Sequence, residues 1–227
     1  MKDTRGLRQL KDPSRKDGVR KRLRARNFLR GLKPRMEDQV RFLGAFLRRP
    51  ACVGALNPSS PALARAMIRD CVLKSCDTVV ELGPGTGAFT GPILQSIGRN
   101  TTFIAMELDP MFARGLKLRY PSLQVYNDSA ERLGDYLALH GKKSADYIIS
   151  GLPWASLPLI VQNRIMEAVL SSLGPGGVFT TFGYLHARWL PNAQRFRLRL
   201  QQHFSGVATS SVVWKNFPPA FVYRCVK

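Results

Sequence analysis

The sequence is poor in acidic residues and has no long apolar stretch. Its 227 residues include 15 Asp and Glu against 35 Lys and Arg, which gives a formal net charge of +20. Such an excess favours an anionic partner, either nucleic acid or a membrane with acidic lipids, and does not separate the two. The apolar runs fall short of the roughly 18–20 residues that cross a bilayer, so a membrane-associated form is expected to lie on the surface.

Cysteine is also scarce and carries no recognisable pattern. Cys52, Cys71, Cys76 and Cys225 show neither CxxC nor Cys/His spacing. The spacing therefore indicates neither a zinc site nor a redox pair, and no metal is predicted. We expect reduced, buried thiols in a cytoplasmic protein. The basic N-terminus has no apolar stretch after it, which argues against a secretory signal.

The positive charge is concentrated at the N-terminal end. Residues 1–49 contain 17 Lys and Arg and 5 Asp and Glu, a net charge of +12. Met36, Val40, Leu43 and Leu47 recur at helical spacing, which favours an amphipathic helix that lies on anionic headgroups or packs on the main domain. We therefore predict a basic amphipathic membrane-binding extension over residues 1–50 and a folded domain over residues 51–227.

Beyond residue 77, strand patterns alternate with helical ones. The predicted strands are Thr78–Leu82, Thr102–Glu107, Leu123–Tyr126, Asp146–Ser150, Val178–Tyr184, Gly206–Val213 and Phe221–Cys225, with helices at about 88–97, 111–118, 130–139, 158–173 and 191–203. This alternation predicts an α/β fold with a seven-stranded, mostly parallel sheet and helices on both faces. The short segment WKNFPPA between the last two strands favours an antiparallel hairpin at the edge of the sheet.

A glycine-rich turn follows the first predicted strand, in VVELGPGTGAFT. Gly83, Gly85 and Gly87 allow a tight turn and a close approach of a ligand to the backbone. The absence of GK[ST] excludes a triphosphate-binding loop, and the spacing departs from the G-x-G-x-x-G of dinucleotide oxidoreductases. Glu81, two residues before the first glycine, suits a ligand with an ammonium group better than a pyrophosphate.

Two further acids follow the next two strands. Glu107 lies where a carboxylate accepts hydrogen bonds from both hydroxyls of a ribose. Asp128 lies where a carboxylate accepts a hydrogen bond from an exocyclic amine such as that of adenine. Ligands of such sheets bind beyond the carboxyl ends of the strands, so the three acids together predict a nucleoside-binding site.

The segments VVELGPGTGAFT, IAMELDP, YNDSA and DYIISGLPW resemble the successive strand-end motifs of the class I S-adenosylmethionine-dependent methyltransferases. The resemblance runs from about Asn57 to the C-terminus and implies a Rossmann-like fold with S-adenosyl-L-methionine as cofactor. It implies that the glycine turn and Glu81 hold the methionine moiety, Glu107 the ribose, and Asp128 with its successors the adenine. The complete predicted cofactor-binding set is Ser60, Glu81, Gly83, Gly85, Gly87, Glu107, Leu108, Asp128, Ser129, Ala130 and Ser150.

Two groups of methyltransferases are similar to this chain beyond those motifs. The rRNA adenine dimethyltransferases carry Asn-Leu-Pro-Tyr after the fourth strand, where this chain has Gly151 in place of the Asn and Trp154 in place of the Tyr. The segments GALNPSSPALARAM and VVWKNFPPAFVYRC resemble the bacterial phospholipid N-methyltransferases. That second resemblance implies stepwise methylation of phosphatidylethanolamine to phosphatidylcholine at the inner face of the cell membrane. RNA methylation, or an inactive fold that acts as a basic binding module, are the alternatives.

The predicted reaction assigns roles to residues after the fourth and fifth strands. Gly151, Trp154, Tyr184 and His186 form the predicted catalytic set, with His186 as a candidate base. The ring faces of Trp154 and Tyr184 are expected to stabilise the methylated ammonium. Arg188 and Lys215, with Arg195 as a further candidate, are expected to bind the lipid phosphate. The anionic lipids of the membrane are the expected partners of the N-terminal extension.

Overall fold

A seven-stranded sheet organises the part of the chain that the computed structural model describes, residues 59–227. The strands are β1 Thr78–Leu82, β2 Thr102–Met106, β3 Gln124–Tyr126, β4 Ala145–Ser150, β5 Leu173–Tyr184, β6 Gly206–Thr209 and β7 Ala220–Val226. Their order is β3-β2-β1-β4-β5-β7-β6, with β7 antiparallel to both of its neighbours. The predicted mostly parallel sheet with an antiparallel terminal hairpin is confirmed. The predicted extension over residues 1–50 lies outside the described residues.

Within residues 59–227, six α-helices connect or precede the strands. They are α1 Pro61–Ile68, α2 Thr90–Ser96, α3 Pro110–Arg119, α4 Leu133–Leu139, α5 Leu159–Ser172 and α6 Pro191–His203, with short 3₁₀ turns at Leu73–Ser75, Ala130–Arg132, Trp154–Ser156 and Leu185–Ala187. α1 begins at Pro61, because the Ser60 hydroxyl accepts a hydrogen bond from Leu63 N (3.1 Å) and Pro61 suits the first turn. Among residues 59–227, no helix is long and apolar enough to cross a bilayer.

The interior strand β1 is buried at all five of its positions, as expected for a parallel strand covered on both faces. Ile148 and Ile149 of the neighbouring β4 are also completely buried. An acidic residue therefore lies inside the sheet at Glu81, whose side chain has no solvent exposure. The cysteines in the described part are free thiols, Cys225 buried and Cys71 and Cys76 half-buried.

The sixth strand is shorter than predicted. It ends at Thr209, and Val213 pairs with Ala220 only as an isolated bridge. The reason lies at Ser210, whose hydroxyl accepts a hydrogen bond from Val222 N (2.9 Å) and so replaces a backbone partner of the ladder. The chain is then free to turn toward the segment 214–219.

Asn216 fixes that segment to the start of α1. Its side chain is buried, its Oδ1 accepts from Ser60 N (2.9 Å), and its Nδ2 donates to Pro218 O (2.8 Å). Two segments that are distant in sequence are therefore held together by one amide group.

Replacing Asn216 by Ala should lower the free energy of unfolding by about 1–3 kcal/mol, because a buried backbone N–H and a carbonyl lose their partner. Urea unfolding of the full chain measures this. Asn192→Ala, at an exposed position in the first turn of α6, is the matched control and should stay within about 0.5 kcal/mol of the wild type. Equal midpoints for both variants would contradict the assigned role of Asn216.

Candidate functional site

The carboxyl ends of β1, β2 and β3 meet at one edge of the sheet. Leu82 pairs with Met106, and Met106 pairs with Tyr126, so the three strands end in register. Gly83 N donates to Met106 O (2.9 Å) and Glu107 N donates to Tyr126 O (2.9 Å), which extends the ladder by one step past each strand. The structure thus brings the loops that carry the three predicted acids together.

The glycine turn begins directly after β1, and both Gly83 and Gly85 have a positive φ that favours glycine. Gly83 has a φ of +66°, and a Cβ there would lie 2.6 Å from Cδ2 of Leu152. Gly85 has a φ of +55°, but a Cβ on it would meet no atom within 4 Å, so open space lies beside this residue. Arg119 of α3 donates to Thr86 O (2.9 Å) and holds the turn from outside. The turn therefore exposes backbone toward the open side.

Glu107 lies just past β2 and uses both carboxyl oxygens to order the neighbouring loops. Its Oε2 accepts from Gly85 N (2.8 Å) and its Oε1 accepts from Asp109 N (2.8 Å). Burial raises the pKa of Glu107, and these backbone donors act in the opposite direction. Each carboxylate oxygen can accept a second hydrogen bond. Glu107 can therefore receive the two hydroxyls of a ribose while it keeps the turn in place.

Glu81 is completely buried below the turn. Its Oε2 accepts a hydrogen bond from the Thr90 hydroxyl (2.7 Å), whereas its Oε1 is buried with no partner in the described residues. Burial raises the pKa of Glu81 to about 8, with the Thr90 hydrogen bond opposing and the nearby Glu107 adding to the rise. An unpaired buried oxygen is costly and suits a ligand donor such as an ammonium group.

Asp128 is held by three donors at the end of the third strand. Its Oδ2 accepts from Arg132 Nη1 (2.9 Å) and from the Tyr136 hydroxyl (2.7 Å), and its Oδ1 accepts from Ser129 N (2.7 Å). The Tyr136 ring also packs against Tyr126 at 4.2 Å between centroids. With Oδ2 occupied twice, Oδ1 is the oxygen with capacity for a further donor, such as the exocyclic amine of adenine.

The predicted neighbours of these acids contribute mainly through the backbone. Leu108 O accepts a hydrogen bond from Asn127 Nδ2 (2.9 Å), and the Ser129 hydroxyl caps the following 3₁₀ turn by accepting from Glu131 N (3.3 Å). Ala130 is buried and starts that turn.

The site as a whole fits an aminoacyl nucleoside. It offers the unpaired oxygen of Glu81, the open side of Gly85, and the remaining acceptor capacity of Glu107 and Asp128.

Two predicted cofactor residues have their side chains committed to the fold. The Ser60 hydroxyl caps α1, as described above. The Ser150 hydroxyl is buried and accepts from the Trp154 indole N–H (3.0 Å) and from Leu152 N (3.4 Å). These side chains position the surrounding loops, and their contact with the cofactor stays a prediction.

The structure places Trp154, predicted to line the substrate pocket, inside the core. Only 2% of Trp154 is exposed. Its ring stacks on Phe196 of α6 at 5.0 Å between centroids and contacts Phe179 edge to face at 5.7 Å. The Trp154 ring and its indole N–H therefore both have partners inside the core. The residue type alone did not distinguish a pocket wall from a core side chain.

A different row of aromatic side chains leads away from the glycine turn. Phe89 contacts Phe182 (5.9 Å between centroids), Phe182 contacts Tyr184 (5.5 Å), and Tyr184 stacks on His186 (5.7 Å). Phe89 is buried, Phe182 and Tyr184 are half-buried, and His186 is exposed. Sequence reasoning missed Phe89 and Phe182. The alternation in TFGY, which points residues 182 and 184 to one face of β5, was the available signal.

The predicted anion-binding cations lie after β5, before β7 and on α6. The Arg188 guanidinium lies over the rings of Trp189 and Phe221, at 5.6 Å from each centroid. Lys215 and Arg195 are exposed, on the segment before β7 and on α6 respectively. Phe221 pairs with Gly183 and so points to the face of the sheet opposite Phe182 and Tyr184, which places its contact with Arg188 on that opposite face. Lys215 and Arg195 have no fixed partner among the described residues.

Comparison with known proteins identifies a close match over most of the chain. An ornithine lipid N-methyltransferase of Singulisphaera acidiphila is 33% identical over 193 residues, which are 84% of this chain and 96% of that protein. A dimethyladenosine transferase of Chaetomium thermophilum is 33% identical over 102 residues, 44% of this chain and 26% of that protein. No protein-family model matches the chain.

Solved structures share the fold at low sequence identity. The O-methyltransferase TomG from Streptomyces achromogenes, solved in complex with S-adenosylmethionine, has a TM-score of 0.55 at 16% identity, over 74% of this chain and 79% of its own. The O-methyltransferase of Bacillus cereus has a TM-score of 0.55 at 13% identity, over 86% of this chain and 92% of its own. Both have the α/β architecture described above.

The buried carboxyl group of Glu81 should make stability fall with rising pH. The folded pKa of about 8 exceeds the ordinary value of 4.5, so the native state holds this proton more tightly than the unfolded chain. The free energy of unfolding therefore falls as the pH rises from about 4.5 to about 8. Glu81→Gln removes this titration. Its free energy of unfolding should therefore rise relative to that of the wild type by up to about 1.4 kcal/mol for each pH unit in this interval.

Urea unfolding without cofactor, between pH 5 and pH 9, tests this. Glu167→Gln, on an exposed face of α5, is the control for loss of one negative charge. The prediction fails if the wild type and Glu81→Gln keep a constant difference over the whole range.

Tyr136→Phe should weaken the binding of S-adenosylmethionine about fivefold, because Asp128 loses one of its three donors and about 1 kcal/mol of positioning. Titration calorimetry measures the affinity. Tyr147→Phe is the matched control, since the Tyr147 hydroxyl accepts from Val72 N (3.2 Å) at the opposite end of β4. An equal loss of affinity in both variants would show that Tyr136 acts only through general stability.

Three observations indicate the same kind of enzyme: the fold, the three acids at adjoining strand ends, and the match along nearly the whole length of one relative. S-adenosyl-L-methionine is the cofactor, and the chain is an enzyme that transfers its methyl group. The chain therefore belongs to the S-adenosylmethionine-dependent methyltransferases, in the family that includes the ornithine lipid N-methyltransferase of Singulisphaera acidiphila.

Proposed function

We propose that the protein methylates the headgroup amine of a membrane lipid, and that phosphatidylethanolamine is converted stepwise to phosphatidylcholine. The observation that carries the proposal is the similarity to a lipid N-methyltransferase over 96% of that protein's length. Ornithine lipid, the lipid named for that relative, presents a headgroup amine as well. The shared chemistry is thus an amine on a lipid, and phosphatidylethanolamine is the finer proposal.

The reaction is an in-line displacement at carbon. The bound S-adenosylmethionine supplies a methyl group on a positively charged sulfur. The lone pair of the lipid nitrogen forms the new N–C bond, the S–C bond breaks, and its electron pair leaves with the sulfur as a thioether. The reaction needs nitrogen and methyl carbon about 3–3.5 Å apart, so the main task of the protein is positioning.

The lipid ammonium must lose a proton before it reacts. Burial raises the pKa of Tyr184, so its hydroxyl stays protonated near neutral pH and accepts a hydrogen bond without removing the proton. His186 is exposed and stacks on Tyr184. We assign Tyr184 to orienting the amine and His186 to passing its proton to water.

The aromatic row suits a product whose positive charge becomes permanent. Tyr184 and Phe182 present ring faces and edges, and a ring face attracts a cation by about 0.5–2 kcal/mol whatever number of methyl groups the cation carries. This arrangement accommodates primary, secondary and tertiary amines in succession. Arg188 and Lys215 are assigned to the anionic group of the lipid headgroup.

Gly151 distinguishes this site from that expected for a base-methylating enzyme. A Cβ at Gly151 would lie 2.5 Å from Gly83 O, and Gly151 N donates to Leu82 O (2.8 Å). A side-chain amide at this position, as in the adenine-methylating motif, therefore has no room unless the glycine turn moves. The site offers no side-chain acceptor here for a planar base amine, which supports an aliphatic amine substrate.

The positive charge gives the enzyme a route to a substrate that lies in a bilayer. A Lys or Arg near an anionic leaflet contributes about 1 kcal/mol, and residues 1–49 carry a net charge of +12. We assign the extension over residues 1–50 to binding anionic lipids on the cytoplasmic face of the membrane.

Incubating the full chain with methyl-labelled S-adenosylmethionine tests the proposal, with phosphatidylethanolamine vesicles, ornithine lipid vesicles and small-subunit ribosomal RNA in parallel. We expect label in phosphatidylethanolamine, with mono-, di- and trimethyl products appearing in order. Glu107→Ala is the control. It should lose most of the label incorporation, because the ribose hydroxyls of the cofactor lose the carboxylate that accepts their hydrogen bonds.

Label confined to ornithine lipid would reject the finer proposal and keep the lipid amine. Label confined to RNA would reject both and favour adenine methylation, the activity named for the Chaetomium relative. Cofactor binding without label in any substrate would favour a basic binding module.

A further inference from the structure

Four large apolar side chains protrude beside the outer end of the aromatic row. We call them the aromatic rim: Trp189, Leu190, Trp214 and Phe217, with exposed fractions of 74%, 56%, 71% and 78%. None of them takes part in the chemistry described above. Large apolar side chains this exposed are costly in water, and clusters of them mark surfaces that bind something.

The rim residues lie on two loops at one edge of the sheet. Trp189 and Leu190 follow β5, whereas Trp214 and Phe217 precede β7, its antiparallel neighbour. Leu185 N donates to Pro219 O (2.8 Å), which ties the two loops together. Because Tyr184 pairs with Ala220, both loops start where the aromatic row reaches the surface.

A buried amide holds the second loop, and a contact of Arg188 with the buried Phe221 ring holds the first. Asn216, between the two rim residues of the second loop, is 3% exposed and bonded to Ser60 and Pro218. On the first loop, Arg188 lies between the Trp189 and Phe221 rings. The apolar side chains therefore project from anchored backbone.

The charge around the rim has one sign. No Asp or Glu occurs between Ala168 and Lys227, whereas seven Lys and Arg do. Arg188 and Lys215 are the immediate neighbours of the two exposed tryptophans. Tryptophan prefers the boundary between headgroups and acyl chains because its ring is apolar and its N–H is polar.

We infer that the aromatic rim inserts into the headgroup region of an anionic bilayer, so that the catalytic domain docks with its acceptor pocket facing the membrane. The inference rests on the proposed function, which requires the pocket to meet a lipid amine. Charge complementarity selects an anionic lipid surface as the occupant. The rim residues are distant in sequence from residues 1–50; we assign orientation to the rim and attraction to the charge of the extension.

Fluorescence of the full chain tests insertion directly. The chain has three tryptophans, and Trp154 is buried in the core. Vesicles with phosphatidylglycerol and brominated acyl chains should quench Trp189 in Trp214→Phe, and Trp214 in Trp189→Phe. The double variant with both replaced by Phe retains only Trp154 and should show no quenching. Absence of quenching in the two single variants overturns the inference.

Vesicle co-sedimentation measures the contribution of the rim to binding. Replacing both Trp189 and Trp214 by Ser should weaken partitioning into the phosphatidylglycerol vesicles at least tenfold, because two interfacial rings are lost. Val72→Ser with Leu139→Ser is the matched control: their side chains are 66% and 67% exposed and lie near the opposite edge of the sheet. An equal loss in both double variants overturns the inference, as does no loss in either.

A covering by residues 1–58 or by a second copy of the chain makes a different prediction. In that case the emission of Trp189 and Trp214 is already shifted to the blue without lipid, and iodide does not quench it. Emission typical of exposed indole without lipid, followed by a blue shift on adding anionic vesicles, supports the rim.

Activity separates failure of the rim from failure of the proposed function. The Ser double variant should keep its rate on monomeric short-chain phosphatidylethanolamine and lose it on vesicles. Quenching by brominated lipid in an enzyme that methylates no lipid would reject the proposed function and leave the rim intact. Methylation of vesicle lipid without quenching would reject the rim and keep the proposed function.

Discussion

The burial of one carboxyl group, that of Glu81, is the constraint around which the site is built. Burying a charged carboxylate inside a strand has a large desolvation free energy, and a single hydrogen bond from Thr90 offsets part of it. The remaining oxygen has no partner in the described residues. The pKa of Glu81 rises to about 8 in consequence. A site that holds an unpaired acceptor at the foot of an open glycine turn is prepared for a ligand that brings its own donor.

The second constraint is the close contact between two backbones. Gly151 and Gly83 lie so near each other that no side chain fits at 151, which closes the place where a base-methylating enzyme keeps its amide. A row of rings continues from Phe89 to His186 beside this contact. In the proposed function, these rings line the acceptor side, and the glycine turn separates them from the cofactor.

In the proposed function, charge and exposed aromatic side chains have different roles in binding a bilayer. Long-range attraction depends on net charge and carries little orientation, whereas inserted rings act only on contact and fix which face meets the membrane. The structure supports this division by anchoring the rim loops through Asn216 and Arg188. An acceptor pocket beside the rim would then open toward its substrate without a transmembrane segment.

The sequence by itself determined the sheet, most element boundaries, and the three acids with their glycine turn, because these depend on local periodicity and on fixed positions at strand ends. Only the tertiary structure decided what Trp154, Ser150 and Ser60 do, since the type of a side chain does not reveal its neighbours. Trp154 meets Phe196 of α6, and Phe89 and Phe182 meet across separate elements. Such contacts arise when distant segments pack, and no local pattern records them.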